Sequence, residues 1–382
     1  MKERTFVLAP DSFKESMSAK EVCMAMEAGL RKIYPGASYI HVPMADGGEG
    51  TVQALVDASG GEIHYAQVAG PLGQPVTAAY GILGDGQTAA IEMASASGIG
   101  LVDKAERNPL VTTTYGTGEL IQECLDRGIR RIIIGIGGSA TNDGGAGMAE
   151  ALGVRLLDEA GEPLPRGGGS LGRLARVDIT SLDARLQQVQ LIVACDVTNP
   201  LCGDEGASAV FGPQKGATPD MVQQLDTNLA HYAAVVKQQL HKDVRDLPGA
   251  GAAGGLGAGL MIFTQATLQK GIEMMIEYTG LREKLVEADF VFTGEGGIDF
   301  QTRLGKTPYG VARTAKASGK TVIALAGYIG EGIEPLYSEG IGAIFGIVPG
   351  ASSLEKLLAE GPANVERTCE NIARLLKLSE QD

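Results

Sequence analysis

Two strand–helix pairs at the head of the chain, three strands with helices between them at its tail, and a long middle stretch of different texture predict an α/β fold. Two opening strands and three closing ones make the five that a flavodoxin-like parallel sheet of order 2-1-3-4-5 requires. The middle then forms a second α/β domain inserted between the second and third strands. The expected limits are 1–60 and 285–382 for the discontinuous sheet domain and 61–284 for the insert. With 382 residues, the chain exceeds the size at which one core usually keeps growing, which agrees with two domains.

The elements follow from the residues in order. Thr5-Phe6-Val7-Leu8-Ala9 is an apolar run ended by Pro10 and reads as a buried strand. Ser18 and Glu21 form a capping box, after which Val22, Met26, Leu30 and Ile33 recur at helical spacing. A strand over 39–42 leads into the Asp46 loop and a helix over 52–58. From Glu62 to Leu83 the Gly-Pro and Gly-Gln-Pro turns separate short β-like pieces and suggest hairpins. A helix over 117–126, strands over 131–136 and 189–195, and a helical stretch over 221–239 fill the middle. Strands over 290–292, 321–326 and 343–348 resume the β-α pattern, with helices over 307–317 and from a capping box at Ser352 and Glu355 to Leu376.

Composition excludes several classes of partner. The net charge of −14 argues against nucleic acid or an anionic membrane surface, though not against a phosphate ligand, which needs only local positive potential. The cysteines are odd in number and lack CxxC spacing, so reduced thiols and a cytoplasmic location are expected. The four histidines are scattered, without zinc-ligand spacing. No leader peptide or membrane-spanning run is expected. The 55 glycines lie among apolar runs, so they read as tight turns and not disorder.

Five segments, four of them glycine-rich, carry oxygen ligands or charge. They contain Asp11, Ser12 and Lys14; Asp46, Gly47, Gly48 and Glu49; Gly138, Ser139, Thr141 and Asn142; Lys215; and Gly294, Glu295 and Gly296. Backbone amides, hydroxyls and a lysine suit phosphate oxygens, and nearby carboxylates suit the Mg²⁺ that travels with them. The predicted sheet binds ligands where strand order reverses, which brings the Asp11–Lys14 loop and the Gly294–Gly297 loop together. Asp196 closes a buried apolar strand, a position suited to a base or a metal ligand. Structural readings compete at each place: a helix N-cap for Asp46 and Glu49, an Asx-turn for Asp196, a solvated charge for Lys14. The run Gly249–Gly259 holds mostly small residues and suits close approach of a flat ring or another helix. Gly135–Ala140 also fits the dinucleotide fingerprint G-x-G-x-x-A, which keeps a nicotinamide-dependent oxidoreductase open; Asn142-Asp143 at the mouth of the helix weighs against a bare pyrophosphate.

The segments APDSFKESMSA, ADGGEGT, NPLVTTTYGTGEL, IIIGIGGSATNDGGAGM, ACDVTNPLCG, FGPQKGA, PGAGAAGGLGAG and TGEG..D.QT..GK closely resemble the bacterial glycerate kinases of the glycerate 2-kinase type, in order and over essentially the whole chain. The resemblance implies ATP- and Mg²⁺-dependent phosphorylation of D-glycerate to a phosphoglycerate, 2-phosphoglycerate being favoured, with the ligands in a cleft between two domains. On that reading Lys14 and Lys215 supply charge for phosphate, while Asp196, Asp46 and Glu295 hold Mg²⁺ or deprotonate the glycerate hydroxyl, and Asp11 joins the catalytic set. The partners are then small molecules, with a homo-oligomer compatible. The chain departs from the family pattern at Gly297 and Leu304, where arginine and histidine are expected. A lost arginine contact to phosphate or carboxylate would cost about 1.5–3 kcal/mol. A non-catalytic sensor of glycerate or nucleotide is the third reading.

Overall fold

The computed structural model describes residues 4–380. The expected domain limits at residues 1 and 382 therefore lie outside the described residues. The strands are β1 (Thr5–Leu8), β2 (Ser38–His41), β3 (Glu62–Ala69), β4 (Pro75–Ile82), β5 (Thr88–Glu92), β6 (Arg131–Gly135), β7 (Arg155–Leu157), β8 (Arg176–Asp178), β9 (Gln190–Ala194), β10 (Thr267–Gln269), β11 (Phe290–Ile298), β12 (Val322–Ile329) and β13 (Ile341–Gly346). The chain divides into two compact units. The first takes the described residues up to Asp46, then Gln53–Gly60, then those from Gly271 onward; the second is Gly47–Val52 with Gly61–Lys270.

The first unit is built on a five-stranded sheet of order β13-β12-β11-β1-β2. Every pairing in it is parallel. Read from β2, this is the flavodoxin-like order 2-1-3-4-5. β1 is an interior strand and apolar on both faces, as a strand covered by helices on both sides must be: Phe6, Val7 and Leu8 are wholly buried. Phe6 anchors one face, its ring 5.3 Å from those of Tyr34 and Tyr39 and 5.1 Å from Phe290. The helix Ala19–Arg31 starts at the expected capping box, with Ser18 Oγ accepting from the Glu21 amide and Glu21 accepting from the Ser18 amide.

Three expectations need correction here. β11 does not stop before Thr293. It runs to Ile298, because Gly294, Glu295 and Gly297 pair with Leu325, Ala326 and Tyr328 of β12. The glycines are part of the ladder, so Glu295 is presented from a strand and not from a loop. The last helical region starts from Ser353, not Ser352, since the Ser353 hydroxyl accepts the Lys356 amide. It is also two helices, Leu354–Ala359 and Gly361–Leu378, broken where Pro362 has no amide to donate. Finally, the second unit ends at Lys270 and not at 284. Helix Gly271–Tyr278 packs on helix Thr307–Ala317 so closely that a Cβ on Gly310 would lie 2.1 Å from Ile272 Cγ1.

The second unit has a six-stranded sheet of order β10-β9-β6-β5-β4-β3. β3 and β4 form an antiparallel hairpin in the stretch where hairpins were expected, β5 adds a third antiparallel strand that was not foreseen, and β5, β6, β9 and β10 run parallel. Ile132, Ile134, Leu191 and Val193 centre its main core. The long helix Pro219–Leu240 buries Leu229, Tyr232 and Val236 in a second cluster. β7 and β8 make a separate two-stranded ribbon. Among the described residues no helix is long and apolar enough to cross a membrane.

Close backbone contact accounts for much of the glycine. At Gly29, on the face where helix Ala19–Arg31 meets helix Gly361–Leu378, a Cβ would stand 2.1 Å from the Glu366 carbonyl oxygen. Gly36 has nothing within 4 Å of the same point. In urea unfolding, Gly29→Ala is expected to lose about 1–3 kcal/mol and Gly36→Ala to stay within about 0.5 kcal/mol. Matching curves for the two variants would show that the helices separate without penalty.

Candidate active site

The first unit encloses a pocket of about 460 Å³ at the C-terminal ends of β1 and β11, the two strands that flank the reversal of strand order. Its position is set by the backbone. Beyond β1, the Ala9 amide donates to Phe292 O and the Asp11 amide to Gly294 O, each at 2.8 Å. The Thr293 hydroxyl returns a bond to Ala9 O at 2.8 Å. Asp11 therefore emerges beside Glu295, and Asp46, Ser12, Lys14 and Gly296 line the same pocket. These six residues were expected at the site from sequence, and the structure brings them together.

The carboxylates are held under electrostatic load. Asp11 is 9% exposed and Glu295 8%. Asp11 Oδ2 accepts the Thr307 hydroxyl at 2.6 Å, and Oδ1 accepts the Ser12 amide at 2.6 Å. Burial nevertheless raises the Asp11 carboxyl to about 6, and Asp46 adds to the rise. Glu295 Oε1 accepts the Thr302 hydroxyl at 2.9 Å and lies 3.7 Å from Lys306 Nζ. Burial still prevails there and lifts Glu295 to about 7, with Asp11 and Asp46 contributing. Two acids tuned close to neutrality in one pocket make it the candidate functional site. Thr302, Thr307 and Lys306 were given no role from sequence, although Thr302 and Lys306 stand in the motif TGEG..D.QT..GK and Thr307 opens an expected helix.

The start of the helix Thr51–Ser59 is shaped by its own backbone. The Thr51 hydroxyl and amide turn back to Gly48 O, and Glu49 is exposed. The residue that steadies this segment is Glu92 at the end of β5, which accepts the Val52 amide at 3.0 Å and is drawn toward the Gly50 and Thr51 amides as well. Sequence reading missed it. Gly47 and Gly48 lie in the second unit, against the loop that follows β6: a Cβ on Gly135 would meet Gly47 O at 3.0 Å, and one on Gly137 would meet Gly48 Cα at 3.7 Å. Gly137 and Gly138 are exposed there, and Ser139 is buried. Asp196 follows β9, the neighbour of β6, and is exposed in the irregular segment before Pro200.

Thr141, Asn142 and Lys215 go inward. Lys215 is 2% exposed, and its ammonium donates to the Thr141 carbonyl at 2.6 Å. Burial lowers it to about 7 against the pull of Asp143. Asp143, wholly buried, accepts the amides of Thr114, Gly145 and Gly147 and the Thr114 hydroxyl, while burial presses its carboxyl upward. Asn142 donates to the Ser208 hydroxyl. The helix after this loop begins only at Ala146 and spans six residues, so Gly135–Ala140 does not open a helix as a dinucleotide fingerprint must. The small-residue run packs on the same loop, with Gly254 against Thr141 O and Gly259 against Gly145 Cα.

The description "Glycerate kinase family" belongs to the family model that matches residues 6–377. The chain belongs to that family. Its curated relatives include a glycerate kinase of Halalkalibacterium halodurans, 55% identical with 97% of each chain covered. A glycerate 2-kinase of Escherichia coli K12 is 52% identical, covering 97% of this chain and 98% of the relative. A crystal structure described as a "putative glycerate kinase 2", from Salmonella typhimurium LT2, superposes with a TM-score of 0.93 at 52% identity, over the full length of both chains. The chain is thus an enzyme of a phosphotransferase family, and the oxidoreductase and sensor readings find no support.

The two raised carboxyls make stability depend on pH in a defined direction. Their unfolded values lie at about 3.9 and 4.3, below the folded values, so the folded chain keeps protons that the unfolded chain releases. The associated stability is complete below about pH 4 and is lost as pH climbs through about 6 for Asp11 and about 7 for Glu295. Without divalent cation, the melting temperature is expected to fall between about pH 5 and 8, and Glu295→Gln should flatten the decline. Parallel slopes for the variant and the parent would contradict the burial argument.

Proposed function

We propose that the chain transfers the terminal phosphoryl group of ATP to the 2-hydroxyl of D-glycerate in a Mg²⁺-dependent reaction, in the cytoplasm. The observation that carries this reading is the pocket of the first unit, where near-neutral carboxyls and two lysines meet at the strand-order reversal of a glycerate kinase fold. Phosphoryl transfer asks the protein mainly to align the reactants and to balance charge. Lys14 and Lys306 supply positive charge to the phosphates, and Gly296 borders the same space.

The donor set fits Mg²⁺. Asp11, Asp46 and Glu295 offer hard carboxylate oxygens, yet among the described residues no group of three or more acids, histidines or cysteines is placed to cage a metal alone. Mg²⁺ usually keeps waters and phosphate oxygens and takes one or two carboxylates, which matches such an incomplete set. When bound, the ion would neutralise phosphate charge. Its charge would also draw Asp11 and Glu295 into their ionised forms.

Asp196 is assigned as the base that takes the proton of the glycerate hydroxyl. It stands at the C-terminal end of a buried parallel strand, where such sheets present catalytic groups. Ser139 and Gly138 after β6 are assigned to substrate oxygens. Lys215, turned inward, acts through Thr141 to hold that loop, and Asn142 braces it through Ser208.

Purified chain with ATP, Mg²⁺ and D-glycerate should release ADP in a glycerate-dependent manner. The phosphorus signal of the product should be a doublet, from the single proton on the esterified carbon; a triplet would mean 3-phosphoglycerate. Asp196→Asn is expected to lower kcat by about 10²–10⁴-fold while leaving the melting temperature nearly unchanged, as its exposure implies. Absence of glycerate-dependent ADP release would end the reading, and near-normal turnover by the variant would remove Asp196 from its role.

A further inference from the structure

The pocket of the first unit is two-sided. One end holds the carboxylates and lysines already described. The other is a wall of Tyr328, Ile347, Val348, Leu354, Leu357 and Leu358. Several of these are unusually open for apolar groups: Tyr328 is 65% exposed, Leu354 69% and Val348 41%. Apolar side chains gathered on the rim of a charged pocket indicate a ligand with an apolar part. D-glycerate, a three-carbon acid, has none and would fill only a corner of about 460 Å³.

We propose that this wall receives the nucleoside of ATP, with the base against the Tyr328 ring and its phosphates directed to the Asp11, Lys14 and Lys306 end. The assignment rests on the reading of the chain as an ATP-dependent kinase. Two features make the wall a built surface. The helix Leu354–Ala359 is tied to the loop after β1, since the Ser16 hydroxyl donates to Leu358 O at 2.6 Å, so base and phosphate ends are mechanically joined. The Ile347 carbonyl is held by Arg367 at 2.6 Å.

Gly297 gains a meaning in this arrangement. It pairs with Tyr328 across β11 and β12, and a Cβ placed there would sit 3.8 Å from Tyr328 Cδ1. A long side chain at that position could lie over the ring. Glycine leaves the ring open, and a flat purine stacks on an open aromatic face without needing specific hydrogen bonds. Gly297 thus falls beside the proposed nucleoside site. Leu304, the other departure, is 71% exposed and is not part of the pocket lining.

Calorimetry on the full chain tests this with three probes: ATP, ADP and inorganic tripolyphosphate, the last having phosphates but no nucleoside. Leu354→Asn and Tyr328→Ala, both at exposed positions and neither adding charge, should raise the Kd of ATP and ADP about tenfold each. The Kd of tripolyphosphate should change by less than about twofold. Labelling the parent chain with 8-azido-ATP should modify peptides within residues 325–330 or 345–358. Unchanged nucleotide affinity in both variants, or labelling confined to the second unit, overturns the assignment. Failure of the kinase reading looks different: the nucleotide would bind with the expected dependence on Leu354 and Tyr328, yet D-glycerate would elicit no ADP release.

Discussion

The site depends on two carboxyls that the sheet forces close together and away from water. β1 lies between β11 and β2 with both faces covered, so the chain leaving it has a single exit, and the Asp11 amide is fixed on Gly294 O as it leaves. Glu295 occupies the next position of β11, bound into the ladder with β12. Neither residue can swing away without breaking parallel pairing. Their hydroxyl partners, Thr307 and Thr302, offset part of the cost of burying charge, but desolvation remains the larger effect at both. Such a pair is at ease in one of two ways: protonated, or facing a cation. That choice couples the pocket to the charge of whatever enters it.

A second constraint is steric and belongs to the other unit. The loop from Thr141 to Gly145 passes through the interior instead of over the surface, which leaves backbone carbonyls to be satisfied there. Lys215 answers one of them with a buried ammonium, and Asp143 gathers three amides and a hydroxyl. Room for this comes from glycine. Gly254 and Gly255, with φ of 69° and 90°, adopt left-handed conformations and carry no Cβ where Thr141 O and Gly144 Cα press in. The exposed Gly137 and Gly138 at the outer end of the loop are then held by a rigid interior. Asn142 Oδ1 and the Thr141 hydroxyl stay without partners in that interior, which leaves polar capacity unused close to Lys215.

The five parallel strands were legible because each is a short apolar run with a clear stop, and their count alone gave the order of the sheet. Asp46 and Glu295 were legible because they stand among glycines, and Asp11 and Lys14 because they follow the stop of the first strand. What sequence concealed was the direction of side chains. Lys215 sits in a glycine-rich segment that looks like a phosphate loop, yet it points inward. Nothing in FGPQKGA distinguishes a lysine reaching for solvent from one reaching for a carbonyl 74 positions away. Glu92 ends a strand as many surface acids do, and its partners, the amides of Gly50 to Val52, are local only in three dimensions. The continuation of β11 through Gly294–Gly297 was hidden for a related reason. Glycine weakens a strand on its own, and only pairing with β12 makes it one.

On the proposed function, the buried acids of the first unit face the cation that accompanies a nucleotide. A carbon-13 NMR titration of the Glu295 carboxyl addresses it directly, in the free chain and with MgADP. The account predicts a midpoint near 7 in the free chain, and a fall of more than about one pH unit with MgADP, as a neighbouring cation stabilises the ionised form. A midpoint in the ordinary glutamate range for the free chain, or one that MgADP leaves in place, would contradict it.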